Sequence, residues 1–214
     1  MEILKKITNF FVGNLAPKTN IGQDVALLGM RLILAYVFYQ TAMEKWSDMD
    51  ATISWFGNKE WGLGMPFPAL NAYLAATVEL LGAILLVVGL GARHISVPLI
   101  FVMIVALVTV HMGHGWLAIG NSLHDPEIAE RLSKAKEILK ENGDYSWLTA
   151  KGSFVILQNG VEFVVMYMVM LLMIASTGPG RLSLDRLIHS KAILMGACRN
   201  AYFNRRRFRL KSEL

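Results

Sequence analysis

Three ionisable residues stand inside long apolar runs of this chain: Arg31, Glu79 and Glu162. A charged side chain in hydrocarbon is expensive, so it faces a protein interior and takes a partner. At about 1.5 Å per helical residue, Arg31 is expected roughly 9 Å in from one end of its run. Glu79 and Glu162 fall roughly 13 Å and 12 Å in from the opposite end. In a core of about 30 Å both acids then sit near the midplane. The long Arg31 side chain could reach up and bridge them through its planar fork. One Arg and two Glu leave a surplus negative charge, and two carboxylates close together in low dielectric share a proton. The triad Arg31, Glu79 and Glu162 is therefore the candidate catalytic set, a proton-holding site. The bland alternative is a static ion triad that fixes helix register.

A second polar layer is expected nearer the far end of the runs. Gln40 lies nine residues beyond Arg31, and His111 closes the third run. Gln158 precedes Glu162 by four residues and would share its helical face. Gln40, His111 and Gln158 could surround one small polar head group. His114 follows His111 at i+3, and the two could contribute to a copper or zinc site. Two ligands do not define a metal centre, so a hydrogen-bonding role is the expectation for both, and no metal site is assigned. Glu44 and Lys45 close the first run beside Trp46, where interfacial anchoring is the simplest role. The methionines of the fourth run follow no single stripe and read as packing.

The elements that must carry these residues are membrane helices. Hydrophobic residues make up 54% of the 214 and charged residues 17%, and mean hydropathy is +0.44. Soluble domains carry about 25% charged residues, so the composition requires lipid. Four runs approach the ~20 residues a span needs: about 25–43, 70–90, 95–112 and 154–176. The linker Gly91-Ala92-Arg93-His94 makes the second and third antiparallel neighbours. Pro98 is expected in the first turn of the third, and Gly178-Pro179-Gly180 ends the fourth. The expected fold is all-α, an integral membrane four-helix bundle. Amphipathic interfacial helices are expected at the N-terminus, in the outer loop and in the C-terminal tail. The domain reading is an amphipathic segment over 1–24, the bundle over 25–176 and a basic tail over 177–214.

The outer loop helix is expected over about 126–141. Asp125 would cap it, Pro126 suits its first position, and Glu127/Arg131 and Glu130/Lys134 are i,i+4 pairs. The side of the membrane that holds both termini collects 13 Lys/Arg residues against seven on the other. The positive-inside rule puts both termini in the cytoplasm. The tail from Arg181 has nine basic residues and two acids, which suits anionic lipid beside a span better than nucleic acid. The lone Cys198 cannot form an internal disulfide or a redox pair. No cleaved signal peptide is legible.

At these residues the chain resembles the DoxX family of small bacterial four-helix membrane proteins. The likeness rests on Arg31 with the Glu44-Lys45 end of the first helix, and on Glu79-Leu80-Leu81-Gly82 with Gly89-Leu90-Gly91-Ala92-Arg93 in the second. His111-Met112-Gly113-His114-Gly115-Trp116 closes the third. Asn159-Gly160-Val161-Glu162-Phe163 opens the fourth, and Gly178-Pro179-Gly180-Arg181-Leu182-Ser183-Leu184-Asp185 leaves it. The last string is the most specific, and the resemblance runs roughly over 25–188. It implies a four-helix bundle and a link to respiratory or stress-related redox chemistry, since a related subunit belongs to a thiosulfate:quinone oxidoreductase.

The first functional expectation is therefore a quinone-interacting subunit of a redox or stress-response complex in the bacterial inner membrane. The chain has no evident flavin, haem-attachment or iron–sulfur motif. Electrons would have to come from a protein partner, with quinone as a non-covalent ligand. The alternatives are a carrier for a metal or small metabolite, which would lean on homo-oligomerisation, and a scaffold that anchors a soluble enzyme.

Overall fold

Apolar side chains at spacings of three and four dominate the computed structural model, which describes residues 20–189. Helix α1 (Ile21–Ser47) opens on a capping box: Asn20 accepts from the Gln23 N–H, and the Gln23 side chain accepts from the Asn20 N–H. It buries Asp24, Leu27, Arg31, Leu34, Ala35, Phe38 and Ala42. Helix α2 (Met49–Gly57) follows at once, capped by Asp48. Helix α3 (Pro68–Val88) has proline at its first position and stops at Gly89 in the left-handed region, φ 67°. Its buried stripe is Ala72, Ala76, Glu79, Gly82, Ala83 and Leu86. Small residues let membrane helices approach closely, and a Cβ on Gly82 would lie 2.8 Å from Leu99. The opposite faces of both helices expose Leu32, Ile33, Leu74, Leu81 and Ile84, as a lipid-facing surface should.

Helix α4 (Ala92–Ala106) continues as a π-helical turn, Leu107–His111, and a 3₁₀ turn, Met112–His114. Pro98 lies inside α4 rather than in its first turn, because the helix starts three residues earlier than expected. Pro98 offers no N–H to the carbonyl four residues before it. Helix α5 (Pro126–Asn142) matches the expected loop helix, with Asp125 accepting from the Glu127 and Ile128 N–H groups. The Glu127–Arg131 pair forms; Lys134 pairs with Glu137 at 3.1 Å instead of Glu130. A short helix α6 (Tyr145–Leu148) leads to α7 (Glu162–Thr177).

The all-α reading holds, as does the membrane reading. Among the described residues, three helices are long and apolar enough to cross a bilayer: Ile21–Ser47, Pro68–Val88 and Ala92–His114. The fourth expected span is shorter. Residues 154–161 are not helical, and α7 has 16 residues, about 24 Å of helix against a core of about 30 Å. The cause is local. Asn159 takes φ 59°, and Gly160 is pressed against three backbone carbonyls.

The chain divides into two units, Met1–Phe101 with Met170–Leu214, and Val102–Val169. In the first, α1, α2 and α3 pack together. In the second, residues 115–120 and 156–162 run antiparallel, joined by an isolated bridge between Ile119 and Leu157. The amphipathic start, most of the basic tail and Cys198 lie outside the described residues.

Candidate functional site

Lys45 sits in the last turn of α1. Its ammonium donates to both carboxylate oxygens of Glu79, at 2.8 Å and 3.1 Å, and to the Thr41 carbonyl at 3.3 Å. The Glu79 side chain is 3% exposed and that of Lys45 20%. A lysine stem can lie along apolar surface while its head finds a polar partner. Here the head turns inward to an acid in the body of a span. Lys45 is thus a site residue that the sequence reading took for an interfacial anchor. The legible signal was a long cation at the outer end of one helix and an uncompensated acid part-way down the next.

Arg31 does something different from the expected bridge. Its Nε donates to the Leu86 carbonyl at 2.8 Å and its Nη2 to Val87 at 2.8 Å. Its Nη1 donates to Pro179 at 3.0 Å and Leu182 at 2.7 Å. Leu86 and Val87 lie in the last turn of α3, where carbonyls lack intrahelical donors and the dipole favours a cation. The fork therefore caps a helix end and clamps the turn after α7. Gly89 makes this possible, since a Cβ there would lie 2.6 Å from Arg31 Nη2. The expectation that Arg31 bridges Glu79 and Glu162 is corrected: Glu79 has its own lysine, and Arg31 is filled by carbonyls.

The exit loop is tied by further polar contacts. Asp24 accepts from the Arg181 backbone N–H at 2.8 Å and from its Nε at 2.6 Å. Asp185 accepts from the Gly91 N–H at 2.8 Å, and its own N–H donates to the Gly89 carbonyl at 3.1 Å. Ser183 Oγ donates to the Gly180 carbonyl at 2.7 Å. Arg93 donates to the Thr177 carbonyl at 2.8 Å. The Ser-x-Asp string thus fastens the loop to the α3–α4 turn.

In the second unit, Glu162 is the first residue of α7 rather than lying eight residues inside a longer helix. Its Oε2 accepts from the Ala118 N–H at 3.1 Å, and its own N–H donates to the Trp116 carbonyl at 3.0 Å. Gln158 lies outside any helix, so it shares no helical face with Glu162; its N–H donates to the Ala118 carbonyl at 3.0 Å. His111, in the π turn, donates from Nδ1 to the Asn159 carbonyl at 2.8 Å. His114 Nδ1 does the same to Val110 at 2.9 Å. A carbonyl only accepts, so both rings carry the Nδ1 proton and present Nε2. Among the described residues no cluster of three or more His, Cys, Asp or Glu could hold a metal. Gln40, in the first unit, is exposed and donates to the Tyr36 hydroxyl at 2.8 Å. The structure therefore joins Glu79 to Lys45, and sets His111 beside the Gln158–Asn159 backbone.

Comparison with known proteins places the first of these pairs. Residues 26–112 match the DoxX family model. The chain carries a DoxX domain. That domain holds Arg31, Lys45, Glu79, Arg93 and His111, and it ends before Glu162 and the Gly178-Pro179-Gly180 exit. A Bacillus subtilis (strain 168) protein named "Putative oxidoreductase CatD" is 30% identical over 89 residues, covering 42% of this chain and 62% of its own length. A Haemophilus influenzae protein described as uncharacterized is 26% identical over 172 residues, 78% of this chain and 86% of its own. The Escherichia coli (strain K12) "Inner membrane protein YphA" is 26% identical over 164 residues, 77% of this chain and 91% of its own. No solved structure matches.

Proposed function

We propose that this DoxX-domain protein is a quinone-interacting subunit of a redox complex in a bacterial inner membrane, with both termini cytoplasmic. The observation that carries the reading is the Lys45–Glu79 pair, buried where two membrane spans pack. Quinones live in the bilayer and couple electrons to protons. Oxidation of a quinol to the quinone would release two protons, one to the Glu79 carboxylate and the other to water at the membrane surface, and the Lys45 ammonium would donate to one of the two carbonyl oxygens that result. The electrons would leave to redox centres on a partner protein. A relative named an oxidoreductase and another named for the inner membrane support this setting.

The test is gentle purification from native membrane and mass spectrometry for bound quinone, with Glu79→Gln as the control. Quinone retained by the native protein and lost from the folded variant is expected. A static tie between α1 and α3 predicts the reverse: no quinone in either, with activity of the complex surviving Glu79→Gln.

A further inference from the structure

A polar pair stands on the outer side of α1, where the proton chemistry does not use it. Gln40 and Tyr36 are both exposed, and Gln40 Nε2 donates to the Tyr36 hydroxyl at 2.8 Å. That bond takes one of the amide's two N–H donors. The second N–H and the carbonyl oxygen have no partner among the described residues. The level of Gln40 follows from contacts between α1 and α3. Arg31 reaches Leu86 and Val87, and the Trp46 ring stands 5.7 Å from that of Tyr73. At an equal rise per residue, these contacts set Gln40 opposite Val78, the middle of the 21-residue span α3. Mid-depth is about 15 Å from either headgroup layer, beyond the reach of a glutamine side chain. An unpaired amide there costs free energy until another protein group meets it.

The surface around Gln40 has a pattern. Gly29, Ile33, Tyr36, Gln40, Met43 and Ser47 follow at spacings of four, three, four, three and four. They lie on the side of α1 opposite its buried Leu27, Arg31, Leu34, Phe38 and Ala42. Gly29 is half-buried and the other five are exposed. This alternation is the seam of two helices crossing at about 20°. The chemistry of the seam selects its occupant. It carries no charge, so two copies do not repel. Copies of one chain insert in the same orientation, and a two-fold axis along the membrane normal then sets the two Gln40 side chains at one depth. An amide both donates and accepts, so the two can bond reciprocally, N–H to carbonyl. One polar residue in an apolar seam also fixes its register.

We propose that this face of α1 is a dimer interface with a second copy of the chain, centred on Gln40 paired with Gln40 of the partner subunit. The full chain with Cys198→Ser is given one new cysteine at a time and oxidised in its native membranes with copper phenanthroline. Ile33→Cys and Met43→Cys, on the seam, should give disulfide dimers, because facing Cα atoms there come within disulfide reach. Leu81→Cys, on the exposed face of α3, should not. Resonance energy transfer between labelled copies in phosphatidylcholine bilayers then gives the dimer affinity. Gln40→Leu should weaken it about tenfold, the loss of reciprocal interhelical hydrogen bonds. Gln40→Asn should lose less, and both variants should keep native helicity by circular dichroism. The proposal is overturned if neither seam position cross-links, if Leu81→Cys cross-links as readily, or if Gln40→Leu associates as tightly as the native chain. An adduct with the mass of one chain plus a different protein puts another occupant on the face and overturns it as well.

Discussion

Replacing Arg31 by methionine keeps much of the stem and removes the fork. Four hydrogen bonds of 2.7–3.0 Å disappear, and four carbonyls lose their donor. Hydrogen bonds to charged groups contribute about 1.5–3 kcal/mol each, but the sum overstates the loss. Burying the guanidinium has its own desolvation cost, and carbonyls at a span's end can be rehydrated. A net destabilisation of roughly 3–5 kcal/mol follows, in line with breaking other buried charged networks. For a chain of this size that lowers the unfolding midpoint by about 2–4 °C per kcal/mol, so by roughly 6–20 °C. Arg31→Lys should recover only part, because an ammonium is a compact donor that does not reproduce the fork. The assay is thermal unfolding of the full chain in mild detergent, read by tryptophan fluorescence and by the monodisperse fraction on size exclusion. If Arg31→Met unfolds within a degree or two of the native protein, the clamp does not hold the helix ends and the reasoning is wrong. If Arg31→Lys matches the native protein, charge alone suffices and the fork geometry is irrelevant.

Three other outcomes are expected. Gly89→Ala should destabilise by roughly 2 kcal/mol or more, since its Cβ would meet Arg31 and Ser183 at 2.6 Å in a left-handed conformation; unfolding alongside Arg31→Met should show less than additive losses. Lys45→Met leaves a buried unpaired carboxylate and should be destabilising by about 3–5 kcal/mol, whereas Lys45→Met with Glu79→Gln should recover most of it; additive losses in that cycle would disprove the pairing. Gly160→Ala would put a Cβ within 2.5–2.7 Å of the Leu117, Gly115 and Trp116 carbonyls, so amide exchange should quicken over 115–120 and 156–162 while α1 and α3 keep their protection.

Much of the element plan was legible. The loop helix was placed by Asp125 and Pro126, and the turn glycines marked the ends of α3 and α7. The late start of α7 was missed, although Asn159-Gly160 is a turn signal. The apolar run of 154–157 masked it, because periodicity alone does not separate a short apolar extended segment from a buried helix. The expected depth of Glu162 and the shared Gln158–Glu162 face both assume a helix from 154, whereas α7 begins at Glu162 and Gln158 lies outside it. The DoxX match, ending at residue 112, likewise leaves the Gly-Pro-Gly exit to be explained by its contacts alone.

The sequence by itself determined that this chain lives in a membrane, that it is helical, and that Arg31 and Glu79 are buried. Those conclusions need only the cost of charge in hydrocarbon and the reach of a helix. Only the tertiary structure decided what each charge meets. Arg31 meets backbone carbonyls, which every residue carries and no side-chain pattern can announce. Lys45 meets Glu79 because α1 and α3 bring a long, flexible stem within reach of a buried acid. Partner choice depends on distances of a few ångströms between helices, and those are fixed by packing rather than by the spacing of residues along either one.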